Sequence, residues 1–361
     1  MKWASTLARC RMKRAAMGIP VVLAVAACGS GAVEAPASPP VAGVPDPSVT
    51  MSSAPLVREL AGAVTDSGAL DHLQALQKIA DENGGNRAAG TPGYNASVDY
   101  VVGVLRGAGF EVNTPTYQTS GDDEDGFASG TDRNVLAQTR TGDPGRVVMI
   151  GAHLDSVPEG PGIVDNGSGV ASLLEIATRL GPDPSVQNSV RFAFFGNEEA
   201  GALGSTGYVE GLSDDDRQKI QMYLNVDMVA SPNAGYFVQG VKGGDSETAG
   251  PDGSADIAQV LVAQLANAGV TAPEIVEFVG DDESPFIEAG IPVGGAENGD
   301  AEEKRVGQAD AWGGQAGQPY DRCYHQACDR IDNVNRQVLN HYLRALAGTL
   351  AHFATSTNEL R

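Results

Sequence analysis

His153, Asp155, Asp165, Glu198, Glu199, Asp227 and His325 are the side chains of this 361-residue sequence best placed to do chemistry. His153 follows the apolar run Val147-Val148-Met149-Ile150, and Asp155 stands two residues beyond it. Asp165 lies in Val164-Asp165-Asn166-Gly167-Ser168-Gly169. Glu198 and Glu199 follow the stretch from Val190 to Asn197, and Asp227 closes Met222-Tyr223-Leu224-Asn225-Val226. His325 sits between Cys323 and Cys328. The chain has only five histidines, so two in such settings carry weight. Imidazole and carboxylate together suit zinc. Two adjacent dications need a bridging ligand, and a carboxylate has two oxygens for that purpose. Asp165, Glu199 and Asp227 would set three negative charges against two dications. The remaining positive field would make hydroxide available from water near neutral pH. A carboxylate free of metal must then move protons, and the adjacent Glu198 and Glu199 could divide the work. Each residue alone has a plainer reading. Strand-end acids cap turns, Asp165-Asn166-Gly167 is a turn sequence, and Glu198-Glu199 suits the start of a solvated helix.

The elements that must hold these residues alternate. Residues 56–80 predict an amphipathic helix, with Leu56, Leu60, Leu70, Leu73, Leu76 and Ile79 among polar residues. The segment from Asn86 to Gly93 reads as a loop and residues 95–107 as a helix. Residues 134–138, 147–152, 190–195 and 222–229 read as strands. Residues 164–180 contain a helix that begins near the glycines, and 254–268 and 336–353 are helical. Apolar strands alternating with helices imply an α/β fold, with a mostly parallel central sheet flanked by helices. Such a sheet gathers ligands at the carboxyl ends of its strands, which is where the candidates stand.

Lys and Arg number 24 against 46 Asp and Glu, a formal net charge of −22. An acidic surface of this kind excludes nucleic acid as a partner. The one long apolar run is N-terminal, which excludes a polytopic membrane protein. Lys2, Arg9, Arg11, Lys13 and Arg14 precede that run, so residues 1–27 read as an export signal. It ends Val25-Ala26-Ala27-Cys28, which resembles the bacterial lipobox, in which Cys28 would be diacylated. Plain cleavage after Ala27 is the alternative, and leaves Cys28 a free thiol. Residues 28–55 are a Pro/Ala-rich flexible tether, and residues 56–361 form the catalytic domain. The expected location is the outer face of the cell membrane, through a lipid anchor, or the medium after release. Loss of 1–27 removes five positive charges and no negative one, moving the net charge from −22 to −27. Anchoring then rests on lipid rather than on attraction to anionic headgroups. Cys10 leaves with the signal, and Cys323 and Cys328 remain to form a local disulfide in an oxidising compartment. As a metal pair they would lack a second cysteine pair.

Gly151-Ala152-His153-Leu154-Asp155-Ser156, the Asp165 segment, Asn197-Glu198-Glu199-Ala200-Gly201, Asn225-Val226-Asp227-Met228 and Cys323-Tyr324-His325-Gln326-Ala327-Cys328-Asp329 occur in this order. As a set they resemble the co-catalytic zinc aminopeptidases of metallopeptidase clan MH, in particular the secreted leucine-type enzymes of actinobacteria. The resemblance spans residues 56–354, including the loop from Asn86 to Tyr94. It implies a single zinc-peptidase domain with two zinc ions per chain. Asp165 would bridge, His153 and Asp227 would complete one position, and Glu199 and His325 the other. Glu198 would be the general base and acid. Asp155 would orient His153, and Tyr324 would donate to the tetrahedral oxyanion unless it serves only to pack the disulfide loop. The implied substrates are peptides with a free N-terminus, large apolar first residues foremost. Carboxypeptidases and N-acyl amide hydrolases of the same clan, a glutaminyl cyclase with one zinc, and a non-catalytic peptide-binding lipoprotein are the competing readings. One departure is visible. Many relatives carry Ser-Asp-His before Pro-Phe, whereas this chain has Asp281-Asp282-Glu283-Ser284-Pro285-Phe286, so Glu283 replaces a histidine at the expected pocket rim. The Gly-rich stretch 290–320 is expected to form a pocket wall, with Trp312 as a contact or a packing residue. Some relatives bind calcium; Asp329 and Asp332 do not suffice to place it here.

Overall fold

The structure is a computed structural model and describes residues 54–119, 129–240, 250–358 and 360. The expected signal, Cys28 and nearly all of the tether lie outside the described residues. The helices in chain order are α1 (Pro55–Ala63), α2 (Asp66–Glu82), α3 (Pro92–Gly107), α4 (Gly167–Leu180), α5 (Leu203–Glu210), α6 (Asp214–Lys219), α7 (Ser254–Asn267), α8 (Ser284–Glu288), α9 (Val306–Trp312) and α10 (Arg336–Thr355). The strands are β1 (Glu111–Asn113), β2 (Thr116–Thr119), β3 (Gly130–Arg133), β4 (Val135–Gln138), β5 (Asp143–His153), β6 (Asn188–Phe195), β7 (Ile220–Val226), β8 (Phe237–Gln239), β9 (Glu274–Val276) and β10 (Val293–Glu297). Among the described residues no helix is long and apolar enough to cross a membrane.

Eight strands form one sheet in the order β1-β4-β6-β5-β7-β10-β8-β9, and β2 pairs with β3 apart from it. The central strands β6, β5, β7 and β10 run parallel. Antiparallel pairings join β1 to β4, β4 to β6 and β10 to β8. Successive residues of a strand face opposite sides. Val148, Ile150, Phe192, Phe194, Met222 and Leu224 therefore enter the larger core, with α1 to α4, α7 and α10. Met149, Ala193, Phe195, Tyr223 and Val293 enter a smaller one, with Tyr208 of α5 and Phe286 of α8. Burial on both faces is why these strands read as unbroken apolar runs. Each buried side chain of this size contributes about 1.5–3 kcal/mol.

Two boundaries differ from expectation. The helix expected over 56–80 is two helices. Thr65 is extended between them, and its hydroxyl accepts from Gly68 N at 3.1 Å. Its own N–H is drawn to Glu175 Oε1 of α4 at 2.9 Å. The strand expected to reach residue 229 stops at Val226, because Met228 adopts a left-handed conformation with φ 49°. Both deviations serve packing that lies far away in sequence.

Candidate metal centre

Parallel neighbours present their carboxyl ends side by side. His153 ends β5 and pairs with Phe195 at the end of β6. Glu198 and Glu199 follow in a turn before α5, and Asp227 is the first residue past β7. The sheet thus brings together residues far apart in the chain. Asp165 Oδ1 lies 3.2 Å from His153 Nε2, and Asp165 Oδ2 lies 3.2 Å from His325 Nε2. Asp227 Oδ1 is 3.3 Å from His153 Nε2, and Glu199 Oε2 is 3.0 Å from His325 Nε2. His153, Asp165 and Asp227 form one group whose ligand atoms lie within 4.8 Å of each other; Asp165, Glu199 and His325 form a second. Asp165 belongs to both. Glu198 belongs to neither, and its Oε2 is 4.0 Å from His153 Nε2.

Local interactions hold each ligand. The Asn166 side chain caps α4 by accepting from Gly169 N at 2.9 Å, accepts from Met228 N at 3.2 Å, and donates to Val226 O at 2.8 Å. One amide therefore couples the Asp165 loop to the Asp227 turn. Asp329 accepts from Val164 N at 2.8 Å and Asp165 N at 3.0 Å, which couples that loop to the segment after Cys328. Cys323 and Cys328 form a disulfide, and between them His325 takes φ 55° with Tyr324 stacked on it, ring centroids 3.8 Å apart. A Cβ on Gly160 would lie 2.4 Å from Gln326 O, so only glycine lets the loop after Asp155 press against this turn. The fully buried Arg87 donates to the carbonyls of Leu154, Pro161 and Gly162 and pins the same loop. Burial lowers its pKa to about 10, against the pull of Asp155, Asp329 and Asp165. Asn197, at φ 56°, accepts from Tyr117 Oη at 2.8 Å and sets the direction of Glu198.

The charges of this cluster are unbalanced by protein alone. Burial opposes charge on His153, yet Asp227, Asp155 and Asp165 raise its pKa well above the ordinary value. His325 is likewise pushed up to about 10, by Asp165 and Glu199 against burial. Burial raises Glu198 well above the carboxylate range and Glu199 to about 7. Both ring nitrogens of His153, Glu199 Oε1 and Asp227 Oδ1 are buried and make no hydrogen bond. A buried polar group left unpaired costs about 1–3 kcal/mol. Two groups of imidazole and carboxylate, with orphaned acceptors and excess negative charge, fit divalent cations such as zinc.

The remaining expected residues divide. Asp155 is buried behind His153, but its Oδ1 stands 3.6 Å from Nδ1, too far for a hydrogen bond. It accepts from Glu198 N at 3.2 Å. Tyr324 lines a cavity of about 280 Å³ with Asp165, Glu198, Glu199, Asp227 and His325. Burial, with Asp165, Asp227 and Glu199 nearby, raises its pKa and keeps the hydroxyl protonated. Glu283 does not reach the rim where it was expected. It is fully buried, accepts from Gly280 N at 3.1 Å and Asp281 N at 3.2 Å, and meets Asn225 Nδ2 at 3.3 Å. Its short turn leaves Asp281 to face the cavity instead. Of the stretch 290–320, Glu297 and Asp300 line the cavity, while Trp312 packs on Tyr236 and Phe237. Arg87, Asn166, Glu297 and Asp300 were not singled out from the sequence.

A mostly parallel sheet thus carries, at its strand ends, two adjoining groups of residues that could hold cations. The chain belongs to peptidase family M28, whose sequence profile matches residues 134–350. It is 43% identical over 282 residues to leupeptin-inactivating enzyme 1 of Streptomyces exfoliatus, covering 76% of this chain and 59% of that one. It is 46% identical over 267 residues to the "Probable lipoprotein aminopeptidase LpqL" of Mycobacterium tuberculosis, covering 72% of this chain and 53% of that one. The chain thus spans less than two thirds of either relative's length. Its fold is similar to that of a zinc aminopeptidase from Bacillus subtilis, with a TM-score of 0.64 at 18% identity over 82% of this chain and 97% of that one. A glutaminyl cyclase of Porphyromonas gingivalis shares the fold with a TM-score of 0.59 at 21% identity, over 80% of this chain and 98% of that one.

Proposed function

We infer that this chain is a zinc-dependent aminopeptidase that hydrolyses the N-terminal bond of peptides with a free amine. The observation that carries the reading is Asp165, whose two oxygens face two different histidines at 3.2 Å each. His153, Asp165 and Asp227 would hold one zinc ion, and Asp165, Glu199 and His325 a second. When bound, the ions supply positive charge that polarises a scissile carbonyl and acidifies water.

The chain's own groups do the rest. Glu198 takes a proton from the attacking water and returns it to the leaving amine. Burial, with Asp227, Asp282 and Asp281 close by and His153 opposing, raises its affinity for the proton that it takes. Tyr324, still protonated, donates to the developing oxyanion. The acidic cavity attracts the substrate's α-ammonium. Asp155 holds Glu198 through its backbone N–H and stands behind His153. The names of relatives at 43–46% identity support peptide hydrolysis. We further assign residues 1–27 to an export signal, Cys28 to lipid attachment, 28–55 to the tether and 56–361 to the catalytic domain; the relative named a lipoprotein supports this.

The test uses the chain from residue 28 onward, with leucine and lysine p-nitroanilides and their N-acetyl forms. The free-amine anilides are hydrolysed, chelation abolishes the reaction, and zinc restores it. Cleavage of the acetylated forms alone would move the chain to the N-acyl amide hydrolases.

A further inference from the structure

Besides Glu198, the cavity carries three carboxylates that neither cation group uses. Glu297 is the last residue of β10, Asp300 lies three residues on, and Asp281 stands in the turn before α8. They do not make a third metal position. Among the described residues, only the two groups already described bring three ligand atoms within 4.8 Å of one another. No described lysine or arginine lines the cavity. The partner that Glu297 does have is neutral: Gln239 Nε2, at 3.2 Å. That glutamine is fully buried, and its Oε1 has no partner, a second acceptor beside Glu297 left unsatisfied. Met228 and Val279 complete this wall. Val279 is 62% exposed, one of two exposed large apolar side chains among the described residues. That this cavity receives a ligand rests on separate observations, the orphaned Glu199 Oε1 and Asp227 Oδ1 at its base.

Resting on the aminopeptidase reading, we propose that Asp281, Glu297 and Asp300 select a cationic first side chain, lysine or arginine, over the large apolar one the resemblance implies. The charge arithmetic decides it. Two dications would be balanced by Asp165, Glu199, Asp227 and Glu198. Three carboxylates then remain, and the substrate's α-ammonium brings one positive charge. An apolar first residue leaves that excess on half-buried carboxylates without a cation beside them, which is unfavourable. Lysine and arginine side chains halve that excess, from two negative charges to one. Their methylene stems suit Met228 and Val279 while the charged head reaches the acids. Three dispersed carboxylates suit such a flexible cation, as a compact metal ion needs its ligands gathered.

Two measurements test this on the zinc-loaded chain. The first compares kcat/KM for lysine, arginine and leucine p-nitroanilides. The basic substrates are favoured by about tenfold or more, and Glu297→Gln and Asp281→Asn each lower the lysine-to-leucine ratio by about tenfold. A ratio at or below one, or unchanged in both variants, overturns the proposal. The second measures binding of lysinamide and leucinamide to the zinc-loaded Glu198→Gln chain by calorimetry. Lysinamide binds more tightly, and equal or tighter leucinamide binding overturns the proposal whatever the turnover. Preferential lysinamide binding with no hydrolysis of any free-amine anilide by the unaltered chain would overturn the aminopeptidase reading and leave this pocket preference standing.

Discussion

Glu198 and Glu199 are adjacent and chemically identical, yet their surroundings separate them. Glu199 reaches His325 at 3.0 Å and shares a ligand group with Asp165, while Glu198 stays outside both groups. Glu198→Gln is expected to retain zinc and to lower kcat by about 10²–10⁴-fold; metal analysis beside steady-state kinetics checks both parts. Tyr324→Phe is expected to lower kcat by about 10²–10³-fold with little change in KM, since an oxyanion donor acts on the transition state. Of the proposed ligands, His153, Glu199 and Asp227 were legible in the sequence because they follow apolar runs of strand length, as His153 follows Val147 to Ile150, whereas Asp165 and His325 stood out only through the motifs around them. Arg87 was not. It lies in a loop of ordinary composition, and its task, donating to three carbonyls between Leu154 and Gly162, exists only once the loops meet.

Elements show the same division. β5, β6 and β7 announce themselves because both faces are buried. β10 does not, since Val293-Gly294-Gly295-Ala296-Glu297 carries two glycines, which weaken a strand. The glycines are required by neighbours: a Cβ on Gly294 would lie 2.5 Å from Ile257 Cγ2, and one on Gly295 2.3 Å from Gln239 Oε1. Short polar strands such as β1 to β3 hold too few residues to show alternation. The disulfide loop is the element that presents His325 and Tyr324 together. Replacing Cys323 and Cys328 by serine is expected to destabilise the fold by about 2 kcal/mol, the loop-closure value for so short a loop. It should also weaken zinc at the position His325 completes more than at the other. Thermal unfolding and zinc calorimetry on the double variant read the two effects separately.

At the scale of the whole molecule, the five histidines fall into two sets. His153 and His325 lie in the centre; His72, His341 and His352 pack on α2 and α10, where burial holds all three below the ordinary histidine pKa. A histidine depressed in the folded state binds its proton better when unfolded. Its effect is absent above the unfolded value of about 6.5 and destabilises as pH falls through it. Between pH 7.5 and 5.5 the melting temperature of the unaltered chain should therefore fall relative to that of a His72→Gln, His352→Gln variant at equal zinc. Equal slopes would remove these residues from the account. The most direct measurement of the centre itself is zinc calorimetry on chelator-stripped protein, in parallel with Asp165→Ala. Two equivalents binding to the unaltered chain, and loss of tight binding at both positions in the variant, is the result that a shared Asp165 requires. A single equivalent in the unaltered chain, or two tight equivalents in the variant, would contradict it.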